Sequence, residues 1–247
     1  MEALVYSFLA GISTAIGAII VAFFGQPSQR ALSGLLGFAG GIMLAISAFD
    51  LMPESLEIGS MSSTIIGFSF GAIMMYALDK FIPHAHMSGG EDIIEENTSP
   101  LNNKEILRTG YLIFFGIALH NLPEGLAIGA GLESSPELGL YIAIAIGLHN
   151  IPEGMATAGP LRAGGLRWIK VFLLTLFAGL MTPLGAALGL IIFNISPVLV
   201  AGGLAFAAGA MVYIVSDELI PQSHNLHSHI ANAGLIIGLL LGFVLTS

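Results

Sequence analysis

His120-Asn121-Leu122-Pro123-Glu124-Gly125 and His149-Asn150-Ile151-Pro152-Glu153-Gly154 are two copies of one hexapeptide. Each lies near the middle of a long apolar run, 109–131 and 137–159. Residues four apart share a helix face, so His120 stands one turn from Glu124 and His149 one turn from Glu153. An ionised carboxylate at mid-bilayer costs about 2.5–3.5 kcal/mol on insertion scales. Two of them at matching depth, each with an imidazole one turn away, imply a cation for them to hold. The pair reads as a divalent-metal site inside a membrane. Two imidazoles and two carboxylates suit Zn²⁺, and also Fe²⁺, Mn²⁺ or Cd²⁺. Mg²⁺ and Ca²⁺ prefer all-oxygen shells and fit the histidines poorly.

Composition supports the membrane reading. Apolar residues make up 55% of the 247 and charged ones 9%, against about 25% charged in a soluble domain. Eight apolar stretches are long enough to span: 3–24, 31–53, 61–82, 109–131, 137–159, 168–192, 197–221 and 230–246. About 20 helical residues cross the ~30 Å hydrocarbon core. The expectation is an all-α integral membrane protein of eight transmembrane helices, one transmembrane domain over 1–247. The 32 glycines permit close helix approach, and Gly67/Gly71 and Gly238/Gly242 have the spacing for it. With no cysteine, disulfides and thiolate ligands are excluded. The N-terminal run has Glu2 and no basic region, so it reads as a span and not as a removable signal. A net charge of −9 does not suggest a nucleic-acid partner.

The seven basic residues set the orientation. Arg30 lies between spans 1 and 2. Lys80, Lys104 and Arg108 lie at or between spans 3 and 4, and Arg162, Arg167 and Lys170 at or between spans 5 and 6. Basic loops stay cytoplasmic, so both termini are expected outside the cytoplasm. The longest connection, about 83–108, is polar and acidic and reads as a cytoplasmic loop. Its His84 and His86 either bind metal weakly near the exit or are solvated loop histidines.

Sliding the chain by 168 residues reveals a repeat. Gly34, Leu36, Phe38, Ala39, Gly41, Met43, Leu51 and Pro53 land on Gly202, Leu204, Phe206, Ala207, Gly209, Met211, Leu219 and Pro221. Asp50 lands on Glu218, and Ala10, Gly11, Thr14 and Gly17 land on Ala178, Gly179, Thr182 and Gly185. Spans 1–3 thus resemble spans 6–8 in opposite orientation. Inverted repeats mark transporters that hold substrate near the midplane.

Other polar residues line a path. Pro123 and Pro152 free the carbonyls of Leu119 and Leu148. Asn121 and Asn150 either ligate or orient ligands. Ser47 either adds an oxygen or bonds its own helix. Asp50 and Glu54 sit toward the outer end of span 2, the entrance. Asp79, Asp217 and Glu218 sit toward the inner ends of spans 3 and 7, the exit. His224, His227 and His229 follow in the expected last cytoplasmic loop.

With its paired His-Asn-x-Pro-Glu-Gly motifs in successive apolar helices, the whole chain resembles the ZIP (ZRT/IRT-like) family of divalent-metal transporters, nearest its bacterial GufA-type and ZupT-type branch. The resemblance implies uptake of zinc or a related metal into the cytoplasm across a bacterial inner membrane. The metal would be substrate, not cofactor. It further implies a three-two-three helix arrangement, often as homodimers, and a transport site on His120, Glu124, His149 and Glu153. Asn121 and Asn150 match the family's second-site positions, and Ser47 an auxiliary one. The chain departs from the family at Met181-Thr182-Pro183-Leu184-Gly185, where many members have Glu in place of Thr182; a second metal would lose a carboxylate. The alternatives are an intramembrane metallohydrolase, whose His-Glu-x-x-His signature is absent, and a metal sensor that does not transport.

Overall fold

A computed structural model describes residues 2–81, 103–193 and 196–245. Among them every regular element is helical: α1 Glu2–Phe24, α2 Gln29–Ala45, a π-helical turn Ile46–Leu51, α3 Met52–Ile58, α4 Met61–Phe81, α5 Asn103–Ser134, α6 Pro136–Ala163, α7 Trp168–Gly179, α8 Met181–Phe193, α9 Pro197–Ile214, a second π-helical turn Val215–Leu219, and α10 Ile220–Leu245.

Local sequence explains the boundaries. Ser28, Ser135 and Ser196 cap α2, α6 and α9 by accepting from Ala31, Leu138 and Leu199 N–H groups, and proline takes an early position in α6 and α9 where its missing N–H costs nothing. Gly25 (φ 80°) ends α1 and Gly165 (φ 96°) follows α6, a backbone region open chiefly to glycine. Pro183 cannot bond the carbonyl of Gly179, and α7 and α8 part there, at Leu180.

Six stretches of the described residues are long and apolar enough to cross a membrane: Glu2–Phe24, Gln29–Ile58, Met61–Lys80, Ile106–Ser134, Trp168–Ile192 and Pro197–Leu245. The protein is a multi-pass membrane protein. Large apolar side chains such as Phe23, Phe24, Ile66, Phe70, Ile191 and Val244 face outward, which suits lipid and not water. α6 falls outside the six because its middle carries His149, Asn150 and Glu153, and that middle is buried among other helices.

The helices pack as α2 along α10, α1 along α6, α4 along α9, and α5 along both α6 and α8. These seams are built from glycine against backbone. A Cβ on Gly37 or Gly41 would strike the Ala231 or Leu235 carbonyl of α10, and one on Gly209 the Phe68 carbonyl of α4. Lipid supplies no hydrophobic driving force between helices, so the packing that close backbone approach allows helps to hold membrane helices together.

Three expectations shift. The helices overrun their apolar runs: α5 reaches from Asn103 to Ser134 and α6 from Pro136 to Ala163. The last six residues of the expected 83–108 loop are therefore helical, whereas His84 and His86 lie outside the described residues. The expected last loop is also helical, apart from one residue. His227 (φ −170°, ψ 99°) breaks α10, with His224 before the break and His229 after it. The Ser33 hydroxyl lies 2.8 Å from the Ser223 carbonyl and 2.9 Å from that of His227. It thus reaches a carbonyl before the break and the one at it, while His227 Nδ1 accepts from Ile230 N–H.

Candidate metal centre

α5 and α6 run side by side with both hexapeptides facing the seam. His120, Glu124, His149 and Glu153 are each no more than 1% exposed. Each histidine pairs with the glutamate of the other helix, not with its own. His120 Nε2 is 3.3 Å from Glu153 Oε2, and His149 Nε2 is 2.9 Å from Glu124 Oε1. His120, Glu124 and Glu153 each bring a ligand atom within 4.8 Å of the other two, and His149 joins through Glu124. Glu124 Oε2, Glu153 Oε1 and both histidine Nδ1 atoms are buried without a hydrogen-bond partner. Buried polar atoms left unpaired are expensive. The unpaired carboxylate oxygens of Glu124 and Glu153, with His120 close enough to join them, make a group that fits a divalent cation.

The rest of each hexapeptide fastens its helix in place. Asn121 Nδ2 donates to the Ala178 carbonyl at 2.9 Å, and Asn150 Nδ2 to the Ala10 carbonyl at 3.1 Å. A Cβ on Gly125 would strike the Thr182 carbonyl, and one on Gly154 that of Thr14. Both asparagine Oδ1 atoms have no partner. The amides thus tie α5 to α7 and α6 to α1, and each leaves its Oδ1 over.

The profile of the ZIP zinc-transporter family matches residues 86–247. Proteins named zinc transporter ZupT, from Escherichia coli O7:K1 (strain IAI39 / ExPEC), O1:K1 / APEC and strain K12 / DH10B, are each 40% identical over 249 residues, covering 98% of this chain and 95% of theirs. The chain belongs to the ZIP family.

A ZIP chain is a transporter and not an enzyme, and metal is its cargo, not a resident cofactor. Around the core of this ZIP chain the remaining polar residues are spread unevenly. Ser47 is buried and donates to the Met43 carbonyl of its own helix at 2.8 Å. Asp50 is 8% exposed and its Oδ2 has no partner. Glu54 accepts from the Ser134 hydroxyl at the end of α5. Asp79 and Asp217 are half-buried near the ends of α4 and α9. Glu218, expected at an exit, comes against the core: its Oε2 is 3.9 Å from His120 Nδ1. Beside it is a cavity lined by His120, Glu153, Glu218 and Gln222 among apolar residues, with about 20 Å³ open to a water-sized sphere, room for one water or a bare ion.

Thr14 and Gln222 were missed by motif reading. Both were within reach of the 168-residue offset, which pairs Thr14 with Thr182 and Gln222 with Glu54. The hydroxyls of Thr14 and Thr182 are both buried and without a partner.

Proposed function

We propose that this chain moves zinc, and with it iron, manganese or cadmium, into the cytoplasm by alternating access through a core of His120, Glu124, His149 and Glu153. The carrying observation is the fully buried, cross-paired His/Glu quartet with unpartnered ligand atoms. Asn121 and Asn150 hold the two helices and lend neutral oxygens. Ser47 is auxiliary, Asp50 and Glu54 belong to the entrance, and Asp79, His84, His86, Asp217 and Glu218 belong to the exit.

A single transmembrane domain of eight crossings in a three-two-three arrangement fits this reading. Pro197–Leu245 is 49 residues long, about 74 Å if straight, so the break at His227 divides it into two crossings; α6 supplies another. Inverted repeats are supported by contacts that recur under the 168-residue offset, with the hexapeptides exchanged at an offset of 29. Asn121 on Ala178 matches Asn150 on Ala10. Gly125 on Thr182 matches Gly154 on Thr14, and Gly185 on Leu122 matches Gly17 on Ile151. Gly11 and Gly179, themselves counterparts, meet each other, as residues on a two-fold axis must.

Charge limits the core to one metal at a time. Two unit charges 4 Å apart at an effective dielectric near 20 interact by about 4 kcal/mol, and two divalent ions by roughly four times that. Glu124 and Glu153 neutralise one divalent ion between the histidines, and Glu218 stands on the far side of His120; Asn121, Asn150, Thr14 and Thr182 add oxygens without charge.

The test is Zn²⁺ or Cd²⁺ flux into liposomes holding Glu124→Ala or Glu153→Ala protein of verified insertion. Each should cut uptake by at least about tenfold, the scale of lost metal-shell interactions. Near-wild-type uptake by both rejects the core assignment, and binding without flux in the wild type leaves a sensor. Single cysteines at Asp92 and Ser135 should label from opposite faces of a bacterial inner-membrane vesicle, with both termini outside the cytoplasm. The mass of the detergent-extracted protein reports whether it is a homodimer.

A further inference from the structure

One contact breaks the two-fold correspondence. His120 Nδ1 faces Glu218 at 3.9 Å. Its counterpart would join His149 Nδ1 to Asp50. Among the described residues no such ion pair exists, and His149 Nδ1 and Asp50 Oδ2 are both buried without a hydrogen-bond partner.

The space around them is one-sided as well. Leu36, Ile113, Ile117, Ala156 and Leu219 line the cavity beside Glu218. Their counterparts under the same offsets are Leu204, Ile142, Ile146, Ala127 and Leu51. All five are 0% exposed, whereas on the cavity side Ile113 and Ile117 are 7% and 6% exposed, and Leu36, Ala156 and Leu219 share the apolar core of the counterparts. The same residue types, Leu, Ile, Ile, Ala and Leu, therefore frame a hollow on one face and form a plug on the other. The hollow follows α5 toward its N-terminal end, where Lys104 and Arg108 lie; basic ends stay cytoplasmic.

We propose that His149 Nδ1 and Asp50 form an outward-facing metal station, the counterpart of an inward-facing station made by His120 Nδ1 and Glu218. This rests on the reading of the core as a metal carrier. Each histidine turns Nε2 to the shared carboxylates; Nδ1 of His120 faces Glu218 here, and Nδ1 of His149 takes Asp50 in the opposite-facing state. The two nitrogens of one imidazole point to opposite sides of the ring, so a metal leaving Nε2 must be held by carboxylate oxygen until Nδ1 takes it, which is the part the flanking acid plays. Divalent transition metals, which bind either imidazole nitrogen, suit such a relay; an all-oxygen shell, as Mg²⁺ prefers, could not use it. In the opposite-facing state the plug opens, Asp50 reaches His149, and the hollow beside Glu218 closes.

The test is Cd²⁺ flux in both directions with the full chain in liposomes. Asp50→Asn should raise the KM for external Cd²⁺ by about tenfold, as loss of a metal-shell partner does, without a matching rise for internal Cd²⁺. Glu218→Gln should do the reverse. Asp50→Glu, which installs the counterpart's carboxylate, should restore external affinity in part. Equal shifts on both faces, or none, overturn the stations. Glu124→Ala separates the two readings: if it transports normally the core assignment fails, whereas if it is inactive and Asp50→Asn leaves external KM unchanged, only the stations fail. A second measurement uses the wild-type acids. In this cysteine-free chain Ile146→Cys should react with an impermeant maleimide from outside during turnover and be protected by saturating Cd²⁺, and Ile117→Cys should do so from inside. An Ile146→Cys that never labels from outside overturns the proposal even if the Asp50 variants do not fold.

Discussion

The π-helical turns Ile46–Leu51 and Val215–Leu219 occupy corresponding places along their helices, yet among the described residues it is the second, through Glu218, that brings an acid within ion-pair distance of the His/Glu quartet. Each widened turn ends in a leucine that is buried, 0% exposed for Leu51 and 3% for Leu219. Each carries an acid just before that leucine, Asp50 in one and Glu218 in the other. Such turns recur at functional sites because one extra residue re-aims the side chains that follow. Glu218 is one methylene longer and stands beside a hollow; Asp50 is shorter and stands behind a plug. Ser47 in the first turn corresponds to Val215 in the second; the second turn's own hydroxyl, Ser216, stands one position later and is exposed, whereas Ser47 is buried. Equal backbone irregularity therefore does not give equal chemistry. What each acid can reach depends on its length and on which face is open.

The comparison breaks first if the two halves are not mechanically equivalent. Gly125→Ala and Gly154→Ala each drive a Cβ into a backbone carbonyl, of Thr182 and Thr14 respectively. Overpacking of this kind costs about 1–3 kcal/mol, and two rigid backbones leave little room for relief. Both variants should lower the apparent melting temperature in detergent by several degrees and to a similar extent. A large drop for one alone would show that the seams differ.

A next, smaller effect comes from shortening the longer acid. Glu218→Asp makes the second turn match the first, withdraws the carboxylate from His120, and should weaken Cd²⁺ binding from the cytoplasmic face by a few-fold, read as KM for efflux. An unchanged KM would mean that the 3.9 Å approach is incidental. Thr182→Glu and Thr14→Glu then ask whether the axis-related hydroxyls are equivalent in charge. Wild type should hold one Zn²⁺ in the core by equilibrium dialysis at low micromolar free metal, and Thr182→Glu should add a second. Two ions in the wild type would show that more negative charge reaches the core than Glu124 and Glu153 provide. The smallest effect is expected from Ser47→Val, which makes the first turn like the second. The hydroxyl already bonds Met43, and a serine bonded back to its own helix contributes little. Uptake should fall no more than about twofold; a tenfold loss, the scale of a lost metal-shell partner, would make the Ser47 oxygen a ligand.

Much of the site was legible because its cost is legible. A His-x-x-x-Glu pair in the middle of an apolar run has few uses in a membrane, and its duplication gave His120, Glu124, His149 and Glu153 together. The cross-pairing was not. Spacing fixes which residues share a helix face but not how two helices rotate about each other, and that rotation gives His120 to Glu153 and not to Glu124. The offset of 168 pointed at Thr14, whose lone hydroxyl no motif would single out. The π-helical turns left no mark, since Ile46-Ser47-Ala48-Phe49 reads as ordinary apolar helix. The His224–His229 stretch misled in the other direction: polar residues between two apolar runs look like a loop, but a helix needs only the Ser33 hydroxyl to survive a single break at His227.

Among the described α-helices uninterrupted by a π-helical turn, the two that carry the hexapeptides are the longest. α5 has 32 residues and α6 has 28, against 21 in α4. At about 1.5 Å per residue these are roughly 48, 42 and 32 Å. α4 matches the ~30 Å hydrocarbon layer and α5 and α6 exceed it. A bilayer thickened by longer acyl chains would strain α4 first, while α5 and α6 hold length in reserve, and hydrophobic mismatch is relieved by tilt. A thicker bilayer is therefore expected to act on α4 before it acts on α5 and α6.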